Sequence, residues 1–183
     1  MTQDQWQQAV SRLQLKDVRP EFIIEEVPAP ARLAPHAIAL AVDAVNADDE
    51  DLASGRFVVL HDPDGQDTWD GTFRIVTFVK APIEIDVVTD SIFDEVAWSW
   101  LTECLSDNDT DYHHLSGTVT RTVSRSFADL HERQGESDLE IRASWTPGTS
   151  DLHSHFTAWL QLVEMCAGLQ PLPTGVTAIA KSR

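Results

Sequence analysis

The sequence predicts an α+β protein, an antiparallel sheet of about five strands with two main helices packed on one face. Two pairs of strand-like runs carry this reading: RFVVLHD with TFRIVTFVK, and GTVTRTVSRSF with LEIRASW. Each pair is joined by a short connector rich in Gly, Asp or other polar residues. A helix-period stretch follows each pair, at 91–106 and at about 152–168. Hairpin-length connectors leave little room for the crossovers of a parallel sheet.

The chain opens with a short helix, because Trp6, Ala9, Val10 and Leu13 recur at three- and four-residue spacing with Asp4 near the start. Between Pro20 and Pro35 the prolines at 28, 30 and 35 forbid a long helix and favour extended chain. AIALAVDAV, residues 37–45, reads as a buried strand, and NADDEDLASG, residues 46–55, as an acidic loop. In the first hairpin Phe73, Ile75, Thr77 and Val79 share one face, while Arg74, Val76 and Phe78 share the other. Pro82 interrupts this strand, and IEIDVV is expected to continue as a bent edge.

The helix at 91–106, capped by Asp90 or Ser91, turns Ile92, Phe93, Val96, Ala97, Trp100, Leu101 and Cys104 to one broad face. Trp98 and Leu105 widen that face, so the helix needs cover on more than one side. SDNDTDYHH is expected to be loop, and the two alternating runs after it form the second hairpin. The last helix, capped by Ser150 or Asp151, points Leu152, Phe156, Trp159, Val163 and Cys166 inward, and Trp100 and Trp159 should share a core. Gly168 suits its stop. A single domain over 1–183 follows, with 1–19 as helix and lead-in and 169–183 as extended tail.

Of the 183 residues 42% are hydrophobic and 23% charged, an ordinary globular profile. The formal net charge of −17 repels polyphosphates and anionic lipid surfaces, which argues against nucleic-acid or membrane partners. No apolar run reaches the length of a membrane span, and the N-terminus lacks the order of a signal peptide. With Cys104 and Cys166 as the only cysteines, the expected setting is a reducing cytoplasm.

Several blocks, taken together and in order, carry a resemblance: GRFVVLHDPDGQDTWDGTFRIVTFV, VAWSWL, SGTVTRTVSRSF, IRASWTPGTSDLHSHFTAW and AGLQPLPTGV. They resemble an actinobacterial family catalogued as domain of unknown function 3000, over about Pro20 to Val176. The resemblance implies a bacterial cytoplasmic protein and brings no catalytic residue or cofactor with it.

Read for chemistry, the chain offers no GxSxG, GxGxxG or P-loop, so no enzyme class is supported. The acidic 46–55 run lacks the DxDxDG spacing of a calcium loop. His153 and His155 lie about 200° apart on a helix and cannot share an ion. His113 and His114 sit in the expected loop with no carboxylate at a known spacing. The expectation is therefore no cofactor and no stoichiometric metal. Both cysteines read as buried small hydrophobes, and His61-Asp62, adjacent in sequence, is no dyad. Arg74, Arg121, Arg125 and Arg142, all placed mid-strand, are the candidate ligand-binding residues, able to gather on a carboxylate or phosphate or to pair with acids such as Glu140. Trp69 in a turn and Trp98 on a helix flank are the candidate interface anchors. The resulting reading is a non-enzymatic protein acting through a protein partner or a second copy, with an arginine-lined anion site as the alternative.

Overall fold

The computed structural model describes residues 2–13, 15, 18–132 and 134–172. The expected tail, from residue 173 onward, lies outside them, as do positions 14, 16 and 17 of the lead-in. The N-terminal periodicity yields α1 (Thr2–Ser11), which buries Ala9 and leaves Trp6 half-buried. Four strands follow as a meander: β1 (Phe22–Val27), β2 (His36–Val45), β3 (Asp51–Gln66) and β4 (Gly71–Pro82). After the single turn α2 (Ile85–Val88) and the helix α3 (Phe93–Asp107) come β5 (Tyr112–Ser124), a 3-10 turn at Ala128–Leu130, β6 (Glu136–Pro147) and α4 (Leu152–Cys166). The six strands form one antiparallel sheet in the order β1-β2-β3-β4-β6-β5.

This is the expected α+β class, with six strands rather than about five and four α-helices rather than two main ones among the described residues. The extra strand is β1, drawn from the proline-rich segment that the prolines had marked only as extended. The acidic 46–55 stretch is loop only in its first half, because β3 begins at Asp51 once Asn46 has closed the turn by accepting from the Asp48 and Glu50 N–H groups. IEIDVV is not a bent edge. Pro82 ends β4, and residues 85–88 wind into α2, with Thr89 bonding back to the Ile85 carbonyl. The expected loop at 106–114 ends early, because β5 takes up Tyr112, His113 and His114. Ile92, not Asp90 or Ser91, occupies the cap position of α3, although the Asp90 carboxylate accepts from the Ile92 N–H. Asp151 caps α4 by accepting from the His153 N–H, and Gly168 takes the left-handed φ of 68° that ends it.

Alternation along the strands sorts the sheet into two unlike faces. On one, Leu40, Val42, Phe57, Val59, Ile75, Val79, Leu139, Ile141 and Trp145 meet α3 and α4 in a continuous core. Phe57 meets Phe156 edge-on at 5.2 Å, and Trp159 lies 5.5 Å from Phe57. Trp159 is fully buried as expected, whereas Trp100 is half-buried, edge-on to Phe93. The other face holds only a small cluster of Ala39, Val58, Leu60 and Trp69 at one end.

α4 seats on β3 at Gly55, where a Cβ would lie 2.7 Å from the Phe78 carbonyl oxygen and 2.8 Å from Trp159 Cζ2. Gly55→Ala is therefore expected to lower unfolding free energy by about 1–3 kcal/mol, through overpacking. Denaturant melts of the two proteins check this, and equal midpoints would mean that Trp159 does not sit on this strand.

Candidate functional site

The four candidate arginines do not converge. Arg74 on β4 is buried and spends its guanidinium internally, donating from Nη1 to the His114 carbonyl at 2.9 Å and to Thr146 Oγ1 at 3.0 Å. Its Nη2 donates to Ser144 Oγ at 2.8 Å. Desolvation pushes its pKa down. Arg142, on the same sheet face, lies 5.0 Å over the Phe78 ring and 3.4 Å from the Glu140 carboxylate. Arg121 pairs in register with the buried Leu139 and so points to the helix side, against the α2–α3 corner. There Nη1 donates to the Val88 carbonyl at 2.7 Å, and Nε meets Asp94 at 2.8 Å. Arg125 is not mid-strand, since β5 stops at Ser124. Arg74 and Arg142 thus stand on the face opposite Arg121.

The tryptophans also depart from expectation. Trp69 is only 9% exposed, because the turn folds it over Leu60 and its carbonyl accepts from Thr146 Oγ1 at 2.6 Å. Trp98 is half-buried and covers Gly117 of β5, where a Cβ would come within 2.7 Å of its ring. Neither is an exposed anchor.

Other polar groups are deeply enclosed. His155 is 1% exposed, and its Nδ1 accepts from Trp145 Nε1 at 3.0 Å. Burial pushes its pKa down to about 4, against the opposing pull of Asp151 and Asp111. His61 is fully buried in a stack with Trp6, His36 and Phe73, and neither ring nitrogen has a hydrogen-bond partner among the described residues. Its pKa is lowered too, chiefly by desolvation. Burial raises both cysteine thiols to about 12, so neither supplies a thiolate at neutral pH.

One cluster escaped the sequence reading. Asp70, at the end of the β3–β4 turn, lies beside His113 and His114, and one donor atom of each falls within 4.8 Å of the other two. No local spacing announces this, because 43 residues separate Asp70 from His113. Only the β4-β6-β5 order brings that turn to the start of β5.

The outer side of β5 is the second feature. It pairs with no strand among the described residues, and it stays largely exposed from Ser116 to Ser124. β1, the opposite edge, has six residues including Glu25 and Glu26 and is followed by Pro28 and Pro30, devices that discourage further pairing. β5 has thirteen residues with no proline and no acid.

The profile of one family, protein of unknown function (DUF3000), matches residues 2–177, and the chain belongs to that family. No curated protein and no solved structure matches it. Among the described residues, no helix is long and apolar enough to cross a membrane.

His155 also fixes a pH dependence. Its folded pKa lies below the ordinary value near 6.5, so the unfolded chain takes the proton first as pH falls. The stability from keeping it neutral is complete above about 6.5 and drains away toward about 4. Between pH 7.5 and 5 the expected loss is about 2 kcal/mol. Urea melts at both values test this beside His155→Gln, which keeps an acceptor for Trp145 and should flatten the change. Parallel curves for the two proteins would refute it.

Proposed function

We propose that this member of the family acts by association, using the outer edge of β5 as its contact, with a second copy of the chain as the occupant. The observation that carries this is the self-complementarity of that edge. Residues 116–124 read SGTVTRTVS. Antiparallel pairing about a two-fold axis at Thr120 sets Ser116 against Ser124 of the second copy, Thr118 against Thr122, and Thr120 against itself. Cross-strand hydroxyl pairs of this kind are favourable in antiparallel sheets, and no like charges stand directly opposite each other. The resulting contact is isologous, as a two-fold dimer requires.

Charge supports the same place. Two copies at −17 repel each other, yet residues 112–128 contain no acid, so the paired strands would set no carboxylate against another. A specific interface buries roughly 1,200–2,000 Å² in total, more than two strand edges supply. The added area is at hand in exposed apolar residues. Val123 is 44% and Phe127 76% exposed at the end of β5, and Ile92 is 56% exposed beside the corner that Arg121 ties to the strand. The apolar breadth of α3 thus has a use, since Ile92 and Val96 remain uncovered within one chain.

The anion-binding alternative needs arginines gathered on one site, and among the four candidates Arg121 stands on the face opposite Arg74 and Arg142. Light scattering of the full chain is expected to report twice the monomer mass. Thr120→Glu and Thr120→Lys each set like charges at the two-fold axis and should dissociate the dimer while far-UV circular dichroism stays native. Thr120→Cys should cross-link copies under mild oxidation, far more completely than Thr118→Cys, whose partner position is Thr122. A monomeric wild type, or a dimer indifferent to both charges and to cross-linking, would overturn the proposal.

A further inference from the structure

We infer that Asp70, His113 and His114 form a binding site for a divalent first-row transition-metal ion such as zinc or cobalt. This goes beyond the association reading and does not depend on it. The site arises from an irregularity in β5. His113 pairs with Thr146 and Ser116 with Ser144, so two residues of β5, His114 and Leu115, face a single step of β6. Such a bulge re-aims side chains that a regular strand would send to opposite faces. Here the two imidazoles end 5.2 Å apart, centroid to centroid, in an edge-on arrangement.

The carboxylate comes from the turn opposite. Asp70 Oδ2 lies 3.8 Å from His113 Nε2, and that nitrogen also lies 2.9 Å from the Asp70 carbonyl oxygen. An ion about 2.0–2.2 Å from each ligand requires donors roughly 3–3.5 Å apart. The three donor atoms lie within 4.8 Å of one another, close to that spacing.

The backbone beneath them is fixed. Asp70 and His114 have φ of 51° and 52°, a left-handed conformation that side-chain-bearing residues adopt at a cost. Buried Arg74 holds the His114 carbonyl, Thr146 links Arg74 to the Trp69 carbonyl, and both strained residues are thereby pinned from the same side. These bonds hold the backbone that carries Asp70 and His114.

The donor set decides the class of ion. Two imidazoles and one carboxylate suit zinc, cobalt, nickel or iron(II), whereas magnesium and calcium ask for more oxygen ligands. His113 is 40% and Asp70 73% exposed at the side chain, so water fills the remaining coordination positions. Ligation would draw His113 Nε2 away from its contact with the Asp70 carbonyl oxygen.

The test is isothermal titration of the full-length protein with zinc sulfate and with cobalt chloride. One equivalent is expected to bind in the micromolar range, with a visible cobalt spectrum of reduced coordination. His114→Ala and Asp70→Asn should each weaken binding at least tenfold. Removal of the exposed His131, which lies outside the cluster, should leave binding unchanged. Thr120→Glu should bind metal as the wild type does, and His114→Ala should keep the wild-type oligomeric state, which separates this inference from the association reading. Unchanged thermal midpoints in the His114 and Asp70 variants show that folding is not the cause. Absence of saturable binding up to millimolar zinc, or binding that survives both substitutions, would refute the site.

Discussion

The molecule is organised by a sheet that is covered on one side only. Six strands set half their side chains against α3 and α4, and the close seat of Trp159 over Gly55 fixes where that cover lies. The opposite face keeps a small apolar cluster at one end and is otherwise open across Arg56, Val76, Phe78 and Arg142. The helices do not reach far across the outermost strand, so β5 stays largely exposed from Ser116 to Ser124, although Tyr112, Leu115 and Val119 still pack against the core. Its outer edge, its bulge and its exposed apolar neighbours all follow from that shortfall of cover.

A second constraint is the scarcity of cations. In a chain of −17, three of the arginines act as clamps within the fold. Arg19, only 9% exposed, joins Glu21 to Glu164 and donates to the Gln170 carbonyl, tying the entry to β1 against the end of α4. Arg74 and Arg121 do the same for the β5 bulge and the α2–α3 corner. A buried guanidinium carries five donors and can serve several carbonyls at once, which suits places where strand ends and turns leave acceptors unpaired. Breaking such a clamp strands those carbonyls in a region poor in water, at a larger cost than an exposed ion pair carries.

This division explains what was legible in the sequence. Period-two runs such as LEIRASW and the helical repeat of Leu152, Phe156, Trp159 and Val163 are local signals, and both elements formed as read. The strand at Phe22–Val27 was masked because flanking prolines say only that chain is extended, not that it pairs. IEIDVV alternates like a strand, yet Pro82 ends the ladder and one turn of helix satisfies its backbone instead. Trp69 reads as exposed from its turn residues, but burial there depends on Leu60 across the hairpin. Contacts between the 67–70 turn and the start of β5 depend on strand order, which no short window encodes.

The bulge at His114 and Leu115 links the two proposed sites. A bulge increases local twist and breaks the ladder, so an added strand cannot run past it in register. The flat stretch open to pairing therefore begins at Ser116, and β5 itself ends at Ser124. Those limits coincide with the stretch that is symmetric about Thr120, so the irregularity that gathers the histidines also sets one boundary of the pairing register. A strand regular from Tyr112 onward would instead admit slipped pairings, because Thr and Ser alternate along most of its length. Limiting the edge to nine residues reduces those alternatives, at the cost of one β5 residue, His114, held in left-handed backbone.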